Sequence, residues 1–249
     1  MPRYFVELAY DGSQYSGWQR QNNALSVQQV LEEKFSQVLQ SDIQIVGCGR
    51  TDAGVHARQY FLHFDSPEIL TEQQDYGLRS IQPKDIAIYT IFKVKQKAHA
   101  RFDAELREYV YHISLTANPF NRHFTWAPPK AKALDWDKLN AAASMIGSYS
   151  DFFPFCKAGS DVENYGCQIK EVTWDRVEDE LQFTISANRF LRGMVRMIVG
   201  ACINISEGKL SIQELKEAME KQERLHTAYS VPGHGLFLNR IMYPDSILL

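Results

Sequence analysis

The sequence lacks the cysteine and histidine patterns of a disulfide-bonded or metal-binding protein. Its four cysteines, Cys48, Cys156, Cys167 and Cys202, include no C-x-x-C pair, and cysteines of a cytosolic chain are ordinarily free thiols. None of the seven histidines stands in an H-E-x-x-H or similar ligand spacing. We therefore expect four free, buried or half-buried thiols and no metal.

A long hydrophobic run is also missing. The chain has 249 residues, of which 45% are hydrophobic and 23% charged, as in an ordinary soluble globular protein. No segment approaches the roughly 20 uninterrupted apolar residues of a membrane-spanning helix. The start, MPRYFVELAY, runs directly into a strand pattern and does not have the pattern of a signal peptide. These features predict a cytoplasmic protein with no membrane partner, long enough for one large domain or two modest ones.

The chain has no overall excess of positive charge, since its net charge is −3. This value argues mildly against a nucleic-acid partner, but phosphate binding depends on local clusters of Lys and Arg. The arginines are concentrated in the stretches 50–58, 101–107 and 189–196, whereas acidic residues collect elsewhere, as at 178–180. A locally basic surface is compatible with this distribution.

Strand and helix patterns intermingle along the whole chain. Strands are predicted at 3–10, 43–49, 59–64, 85–94, 107–115, 168–177, 180–187 and 235–243, and helices at 71–80, 135–147, 189–206 and 211–222. A further helix begins at Ser26, where Gln29 completes a capping-box pattern. Most strands alternate apolar and polar residues, which favours an α+β fold with a mostly antiparallel sheet covered by helices on one face. A faint repeat, with similar strands at 3 and 107 and long helices from 26 and 135, is compatible with two similar halves.

The stretch GRTDAGVH, residues 49–56, stands where a hairpin tip is predicted. In an ordinary turn, Gly49 and Gly54 would adopt positive φ and Asp52 would bond to its own backbone. Arg50 and Asp52, however, lie two residues apart between glycines, so that one loop can present both side chains. A carboxylate beside an arginine stays ionised, and an ionised Asp is competent as a nucleophile or a base.

Two further stretches combine arginines with aromatic or apolar residues. In HARFDAELREYVYHI, Tyr109 and Tyr111 share one face of a strand, either as ordinary strand tyrosines or as a platform for a nucleobase. In ANRFLRGMVRMIVG, helical spacing predicts that Arg189, Arg192 and Arg196 project from one side. That side is either the solvent face of the helix or a contact surface for phosphates and carboxylates.

Together, five stretches resemble the TruA family of tRNA pseudouridine synthases, in the family's order and over nearly the whole chain. They are YDGSQYSGWQRQ, GRTDAGVHA, HARFDAELREYVY, ANRFLRGMVRMIVG and GLFL. The resemblance implies two similar α/β halves, 1–105 with the catalytic Asp loop and 106–249, which share a large sheet and bind RNA in the cleft between them. It also implies a homodimer, no cofactor, and isomerisation of uridine 38, 39 or 40 in the anticodon stem-loop of tRNA to pseudouridine.

The resemblance also implies roles for single residues. Asp52 would be the nucleophile, Arg196 the arginine that pairs with it, and Leu236 part of the pocket lining. Tyr109 would pack on the target base, which must be flipped out of the stem, and is our candidate for removing the C5 proton. Residues expected to contact the tRNA are Arg50, Arg58, His99, Arg101, Phe102, Arg107 and Arg192. Attack of Asp52 on the base and attack on the sugar both stay open.

Two parts of the segment 151–168 depart from the family pattern. Pro154 stands in DFFPFCK where relatives usually have a small hydroxylated residue, and KAGSDVENYGCQ matches no pattern, so the role of this segment stays open. Two other function classes also stay open. In a non-catalytic RNA-binding module, Asp52 would only repel phosphates, and in a cofactor-free hydrolase His56 would act with Asp52 and be indispensable.

Overall fold

The structure is a computed structural model that describes residues 1–157, 159, 162–227 and 229–249. Within these residues, the α-helices are α1 (Val27–Leu39), α2 (Glu72–Ser80), α3 (Trp136–Gly147), α4 (Met194–Ser206) and α5 (Ile212–Lys221). The strands are β1 (Arg3–Tyr10), β2 (Ile45–Gly47), β3 (His56–Asp65), β4 (Ile86–Val94), β5 (Leu106–Ser114), β6 (Ile169–Val177), β7 (Glu180–Ala187) and β8 (Leu236–Met242). The predicted α+β class is confirmed. None of these helices is both long and apolar enough to cross a membrane.

The chain divides into two compact units. Unit 1 comprises Met1–Arg107 together with Phe237–Leu249, and unit 2 comprises Glu108–Leu236. The sequence-based division, 1–105 and 106–249, differs most in its treatment of the C-terminus. Residues 237–249 belong to unit 1 because β8 pairs with β3, His56 opposite Phe237 and Ala57 opposite Leu238, and a division in sequence order cannot show such a return.

Unit 1 is built on the strand order β4-β1-β3-β8, with β2 paired to β3. The β1–β3, β1–β4 and β2–β3 pairs are antiparallel, and the β3–β8 pair is parallel. Ser26 caps α1 as predicted, because its side chain accepts a hydrogen bond from the Gln29 amide. The Gln29 side chain donates to Glu33 and does not complete the predicted capping box.

Apolar residues at helical spacing attach α1 to the sheet of unit 1. Val27, Leu31, Phe35 and Leu39 are buried, and Phe35 meets Phe64 of β3 edge to face, with ring centroids 5.2 Å apart. Burial of such side chains stabilises the unit by about 1.5–3 kcal/mol each. This core fixes β2 and β3, the two strands that flank the stretch GRTDAGVH.

Unit 2 contains the neighbouring strands β5-β7-β6 and the helices α3, α4 and α5. Strands β6 and β7 are antiparallel, with Trp174 opposite Phe183. Every residue of α4 is buried except Arg196, the pattern of a helix enclosed by other elements on all sides.

The four cysteines are buried free thiols, as predicted. Burial raises the pKa of Cys48 and Cys202 to about 12 and that of Cys167 to about 11. A thiolate is the reactive form of cysteine, so these neutral thiols contribute to packing and not to chemistry.

Candidate active site

Asp52 lies on a loop, residues 48–55, that joins β2 to β3. The two strands are antiparallel up to Gly47, which lies opposite Leu62, and the amide of Cys48 still donates to Phe61 O at 2.8 Å. Beyond Cys48 the chain no longer pairs with β3. The loop closes where the Val55 amide donates to Asp52 O at 3.2 Å. The predicted hairpin is therefore present as a wide loop and not as a tight tip. We call it the Asp52 loop.

Only one of the two glycines expected at positive φ in the Asp52 loop has that conformation. Gly54 has φ 73°, whereas Gly49 is not in the left-handed region. A Cβ atom built on Gly49 would meet no atom within 4 Å. The sequence pattern thus identified the turn correctly, but the turn needs glycine only at position 54.

The segment 11–18, which follows β1, packs against the backbone of the Asp52 loop. The amide of Trp18 donates to Thr51 O at 3.1 Å, and that of Gly54 donates to Tyr15 O at 3.3 Å. The approach requires glycine: a Cβ on Gly17, whose φ is +92°, would collide with Thr51 O and lie 3.0 Å from the carbonyl carbon of Asp52. The Asp52 loop is thereby fixed from outside as well as by its own turn.

Tyrosine side chains hold the same loop at two further points. The Tyr60 hydroxyl donates to Gly49 O at 2.5 Å, and the Tyr10 hydroxyl lies 2.8 Å from the hydroxyl oxygen of Thr51. Trp18 stacks on Tyr60 with ring centroids 4.1 Å apart, so each ring restrains the other. Tyr10, Trp18 and Tyr60 are not among the predicted site residues; the closely spaced glycines of YDGSQYSGWQ and IVGCG, which permit close backbone approach, are the signal that points to them.

Arg50 does not pair with Asp52 as the sequence suggested. Asp52 is half-buried, whereas Arg50 is exposed and makes no hydrogen bond or ion pair with any residue that the structure describes. The carboxylate therefore does not depend on its neighbour in sequence. The exposed Arg50 guanidinium is therefore available to a partner in solution.

His56 is a structural residue. Its side chain is buried, with 1% exposed, and its ring stacks on Phe237 at 4.6 Å. The Gly12 amide donates to His56 Nδ1 at 3.0 Å, although Asp11 Oδ1 lies 3.1 Å from the same nitrogen. The ring is therefore almost inaccessible from solvent, with its Nδ1 in contact with the backbone of the segment 11–18. A hydrolase in which His56 serves as the base is therefore disfavoured, since a general base must reach its substrate.

A second feature of unit 1 is an exposed stack formed by the segment 99–102. His99 Nδ1 accepts the amides of Arg101 and Phe102 at 3.1 and 3.2 Å, and the His99 ring stacks on Phe102 at 4.2 Å. Burial is the main cause that lowers the pKa of His99, so its Nδ1 stays an acceptor. Phe102 is 75% exposed, and the Arg101 guanidinium lies 5.8 Å from its ring centroid. We call this group the Phe102 stack.

Arg58 also lies on an aromatic ring of unit 1. Its guanidinium is 4.8 Å from the centroid of Phe237, and one of its nitrogens is 3.4 Å from the amide oxygen of Asn239. The side chain is exposed. Planar stacking of this kind orients the charge of an arginine without neutralising it.

In unit 2, the two tyrosines of REYVYHI have different environments. Tyr109 is 9% exposed and meets Phe190 edge to face, with ring centroids 5.2 Å apart. Tyr111 is fully buried and donates to Pro232 O at 2.9 Å, and burial raises its pKa. Tyr111 is therefore a structural tyrosine, whereas Tyr109 retains the role that the sequence assigned to it as a prediction.

The predicted ridge of three arginines on one helix is wrong. Helix α4 begins at Met194, because Gly193 adopts φ 71° as its N-cap, and the left-handed conformation of Gly193 ends any continuous helix from residue 189. Arg189 and Arg192 therefore belong to the preceding loop, with Arg192 exposed. Only Arg196 is on the helix.

Arg196 is held by a loop of unit 2. Its Nε donates to Val231 O at 2.7 Å, and the Val231 amide approaches Arg196 O at 3.3 Å. The loop lies against α4 so closely that a Cβ on Gly200 would collide with Tyr229 O. It ends at Leu236, which is buried.

Of the divergent segment 151–168, residues 158, 160 and 161 lie outside the described residues. Pro154 is buried in a short 3-10 turn, Phe153–Phe155. The Phe153 ring contacts Tyr165 edge to face and lies 5.3 Å from the Arg224 guanidinium. These contacts account for local packing and give no function for the segment. Among the described residues of the whole chain, no group of three or more His, Cys, Asp or Glu is arranged to hold a metal ion.

Comparison with known proteins gives a consistent result. Residues 8–103 and 141–244 match the model of a family described as tRNA pseudouridine synthase; Tyr109 lies between these two ranges. The tRNA pseudouridine synthase A of Azobacteroides pseudotrichonymphae is 44% identical over 99% of this chain and 99% of its own length. That of Bacteroides thetaiotaomicron is 41% identical over 99% of this chain and 93% of its own, and that of Bacillus pumilus is 33% identical over 96% and 98%.

Proposed function

The chain belongs to the tRNA pseudouridine synthase family, and on that premise we propose that it isomerises uridine 38, 39 or 40 of the tRNA anticodon stem-loop, with Asp52 as nucleophile. Members of this family are isomerases that convert uridine in tRNA to pseudouridine. The observation that supports Asp52 in this role is its rigid placement: backbone and tyrosine contacts fix residues 49, 51 and 54 of the loop, while Asp52 itself is half-buried. Preorganisation of this kind is what a nucleophile requires.

The reaction is an isomerisation in which no atom is gained or lost overall. The target uridine is first flipped out of the stem, because its reacting atoms cannot be reached inside a duplex. The Asp52 carboxylate then attacks the base or the sugar, and the glycosidic bond between nitrogen and C1′ breaks. The uracil turns and C5 bonds to C1′. The bond formed by Asp52 breaks, which regenerates the carboxylate, and the C5 proton leaves while a proton returns to the freed ring nitrogen. No co-reactant is needed.

Residues of unit 2 complete the proposal. Tyr109 packs on the flipped base and removes the C5 proton, directly or through water. Arg196 balances the charge of the Asp52 carboxylate. Leu236 provides an apolar boundary for the base. The support for these roles lies in the buried setting of Tyr109 and Leu236 and in the fixed position of the Arg196 side chain.

Exposed arginines and the Phe102 stack supply the proposed contacts to tRNA. Stacking of a base on an aromatic ring contributes about 1–3 kcal/mol, and Phe102 has the exposure for it. Arg and Lys side chains that meet phosphates make binding strongly dependent on salt. The proposed contact residues are Arg50, Arg58, His99, Arg101, Phe102 and Arg192.

The decisive measurement is tritium release from tRNA labelled at uridine C5, without added cofactor. The wild-type protein is expected to release tritium, because C5 must lose its hydrogen when it bonds to C1′. Asp52→Asn is expected to bind tRNA normally and to reduce release by more than about 1,000-fold, since an amide is a poor nucleophile.

Asp42→Asn is the matched control, because it makes the same chemical change at an exposed position of unit 1. It is expected to release tritium at the wild-type rate. Release that persists in Asp52→Asn contradicts the nucleophile. A folded wild-type protein that binds tRNA without releasing tritium contradicts the enzyme and favours an RNA-binding module.

We also propose that the protein acts in the cytoplasm as a homodimer, as the family resemblance implies. Light scattering of the purified protein measures the mass in solution directly. A mass of twice 28.6 kDa supports the dimer, and a monomer at micromolar concentration contradicts it.

A further inference from the structure

The guanidinium of Arg107 is engaged by the protein backbone. Its Nε and one terminal nitrogen donate to Cys48 O at 3.3 and 3.0 Å. That terminal nitrogen also donates to Arg101 O at 2.6 Å, and the other donates to Ala104 O at 3.2 Å. The family resemblance suggests that Arg107 contacts tRNA, but its N–H groups already donate to three backbone carbonyls.

The three carbonyls belong to two different parts of unit 1. Cys48 is the first residue of the Asp52 loop, whereas Arg101 is part of the Phe102 stack and Ala104 follows the stack by two residues. The Arg107 side chain is therefore the bridge between the loop with the proposed nucleophile and the segment with the proposed tRNA-contacting aromatic ring. A guanidinium is suited to all three, because it presents five donors in a rigid plane, whereas an ammonium has three donors on a single nitrogen.

The segment 98–104, to which Arg107 ties the Asp52 loop, is itself fixed. The Ala100 amide donates to His63 Nδ1 at 3.1 Å, and the Tyr243 hydroxyl donates to Ala100 O at 2.5 Å. Arg3 donates to Ala98 O at 2.9 Å. The segment 98–104 is thus anchored to β1, β3 and the C-terminal residues, so that a tie to this segment restrains the Asp52 loop.

We propose that Arg107 is a positioning residue, which ties the Asp52 loop to the Phe102 stack and so holds the nucleophile in a fixed relation to the bound tRNA. The inference rests on the proposed function, because it takes Asp52 as the nucleophile. It predicts that loss of the guanidinium fork slows the chemical step and leaves phosphate contacts intact.

Arg107→Lys is the first test, because it keeps the charge and removes the fork. We expect kcat for tritium release to fall at least about 10-fold, while the Kd for tRNA stays within about twofold of wild type. A lost phosphate contact would instead lower the slope of log Kd against log salt by about 0.7–0.9. Arg50→Ala is the comparison variant, whose slope is expected to change by that amount because Arg50 is exposed.

Hydrogen exchange in the free protein gives a readout that does not depend on activity. The amides of Gly54 and Val55 are bonded inside the Asp52 loop region, and in Arg107→Lys we expect both to exchange at least about fivefold faster. The amide of Val231, bonded to Arg196 O in unit 2, is the internal control and is expected to be unchanged. Should the lysine variant lose its cooperative unfolding transition, Arg107→Gln takes its place.

Two outcomes overturn the proposal. In the first, the slope of log Kd against log salt decreases and tRNA binding weakens, while kcat and the hydrogen exchange of Gly54 and Val55 stay unchanged. That result would assign Arg107 to a phosphate contact. The other is a variant that matches wild type in every measurement. If the wild-type protein releases no tritium, the proposed function fails, but the exchange of Gly54 and Val55 still reports whether Arg107 holds the loop.

Discussion

The Asp52 loop of unit 1 and the helix α4 of unit 2 are held in place by different forces, although both lie next to arginines. Arg58 follows the Asp52 loop, and Arg189 and Arg192 precede α4. The Asp52 loop has few apolar side chains and is held from outside, by hydrogen bonds to its carbonyls from Trp18, Tyr60 and Arg107. Helix α4 is held by burial of its own residues, with Arg196 as the exception.

This difference determines how each region responds to mutation. Hydrogen bonds to a loop carbonyl fix a position and contribute only about 0.5–1.5 kcal/mol each. Burial of an apolar helix contributes most of the stability but tolerates little change in volume. Mutations around the Asp52 loop should therefore affect activity more than stability, and mutations in α4 should do the reverse.

Among the paired variants that compare the two regions, the largest expected effect comes from adding one methyl group at a close backbone approach in each region. In Gly17→Ala the new Cβ collides with Thr51 O at a φ of +92°, so the Asp52 loop must shift, and we expect activity to fall about 100-fold. In Gly200→Ala the Cβ collides with Tyr229 O, and we expect a loss of about 1–3 kcal/mol in unfolding free energy. Tritium release and urea unfolding measure the two effects.

Gly49→Ala serves as the control for this pair, because no atom lies within 4 Å of its Cβ position and its φ is not positive. It is expected to keep both activity and stability. If Gly200→Ala reduces activity more than Gly17→Ala does, the contrast between the two regions is wrong.

A smaller effect is expected from removing one hydroxyl in each region. Tyr60→Phe removes the donor to Gly49 O, and Tyr111→Phe removes the donor to Pro232 O. Both variants should lose about 1 kcal/mol of unfolding free energy, a decrease of roughly 2–4 °C in Tm. Only Tyr60→Phe should also lower kcat, by several-fold, because only its partner lies in the Asp52 loop. Equal kcat values for the two variants would remove Tyr60 from the positioning of Asp52.

The last prediction concerns the pH dependence of stability. Burial, and next to it the charge of Arg3, lowers the pKa of His63 to about 4, below the value of about 6.5 in an unfolded chain. The unfolded state therefore binds the proton first, so the contribution of His63 to stability is complete above about pH 6.5 and is lost as the pH falls towards 4. Urea unfolding at pH 7 and pH 5 measures the loss, and His63→Gln is expected to reduce the difference between the two. An undiminished difference would assign the pH dependence to other groups.

Much of the fold was predictable from local patterns. The apolar spacing of Val27, Leu31 and Phe35 identified α1, and alternation identified β1 and the β6–β7 pair, because helices and strands that bury one face impose their period on the sequence. The start of α4 was not predictable in this way. The helical spacing of residues continues through Arg189 and Arg192, but the helix cannot begin before Gly193, whose backbone is left-handed. The spacing of apolar residues does not show this backbone conformation.

The candidate site likewise has features that the sequence predicted and features that it did not. The sequence identified the Asp52 loop as unusual, because its residue types exceed what a turn requires, and the family resemblance singled out the segment 99–102. It offered His56 as a base only in the alternative of a hydrolase, and it predicted Arg107 as a tRNA contact. In the structure the His56 ring lies in the interior, and the Arg107 guanidinium donates to backbone carbonyls. The type of a side chain shows which hydrogen bonds it can donate or accept, whereas its neighbours in the fold decide which of these hydrogen bonds it makes.

The sequence by itself determined the α+β class, the approximate bounds of most helices and strands, and the family, because local propensity, hydrophobic period and ordered motifs are properties of neighbouring residues. The tertiary structure alone decided that residues 237–249 return to unit 1, that Gly17 presses on Thr51, and that Arg107 reaches Cys48. These contacts join positions far apart in the chain. They form only when the packed strands bring those positions together, and no short stretch of sequence contains that information.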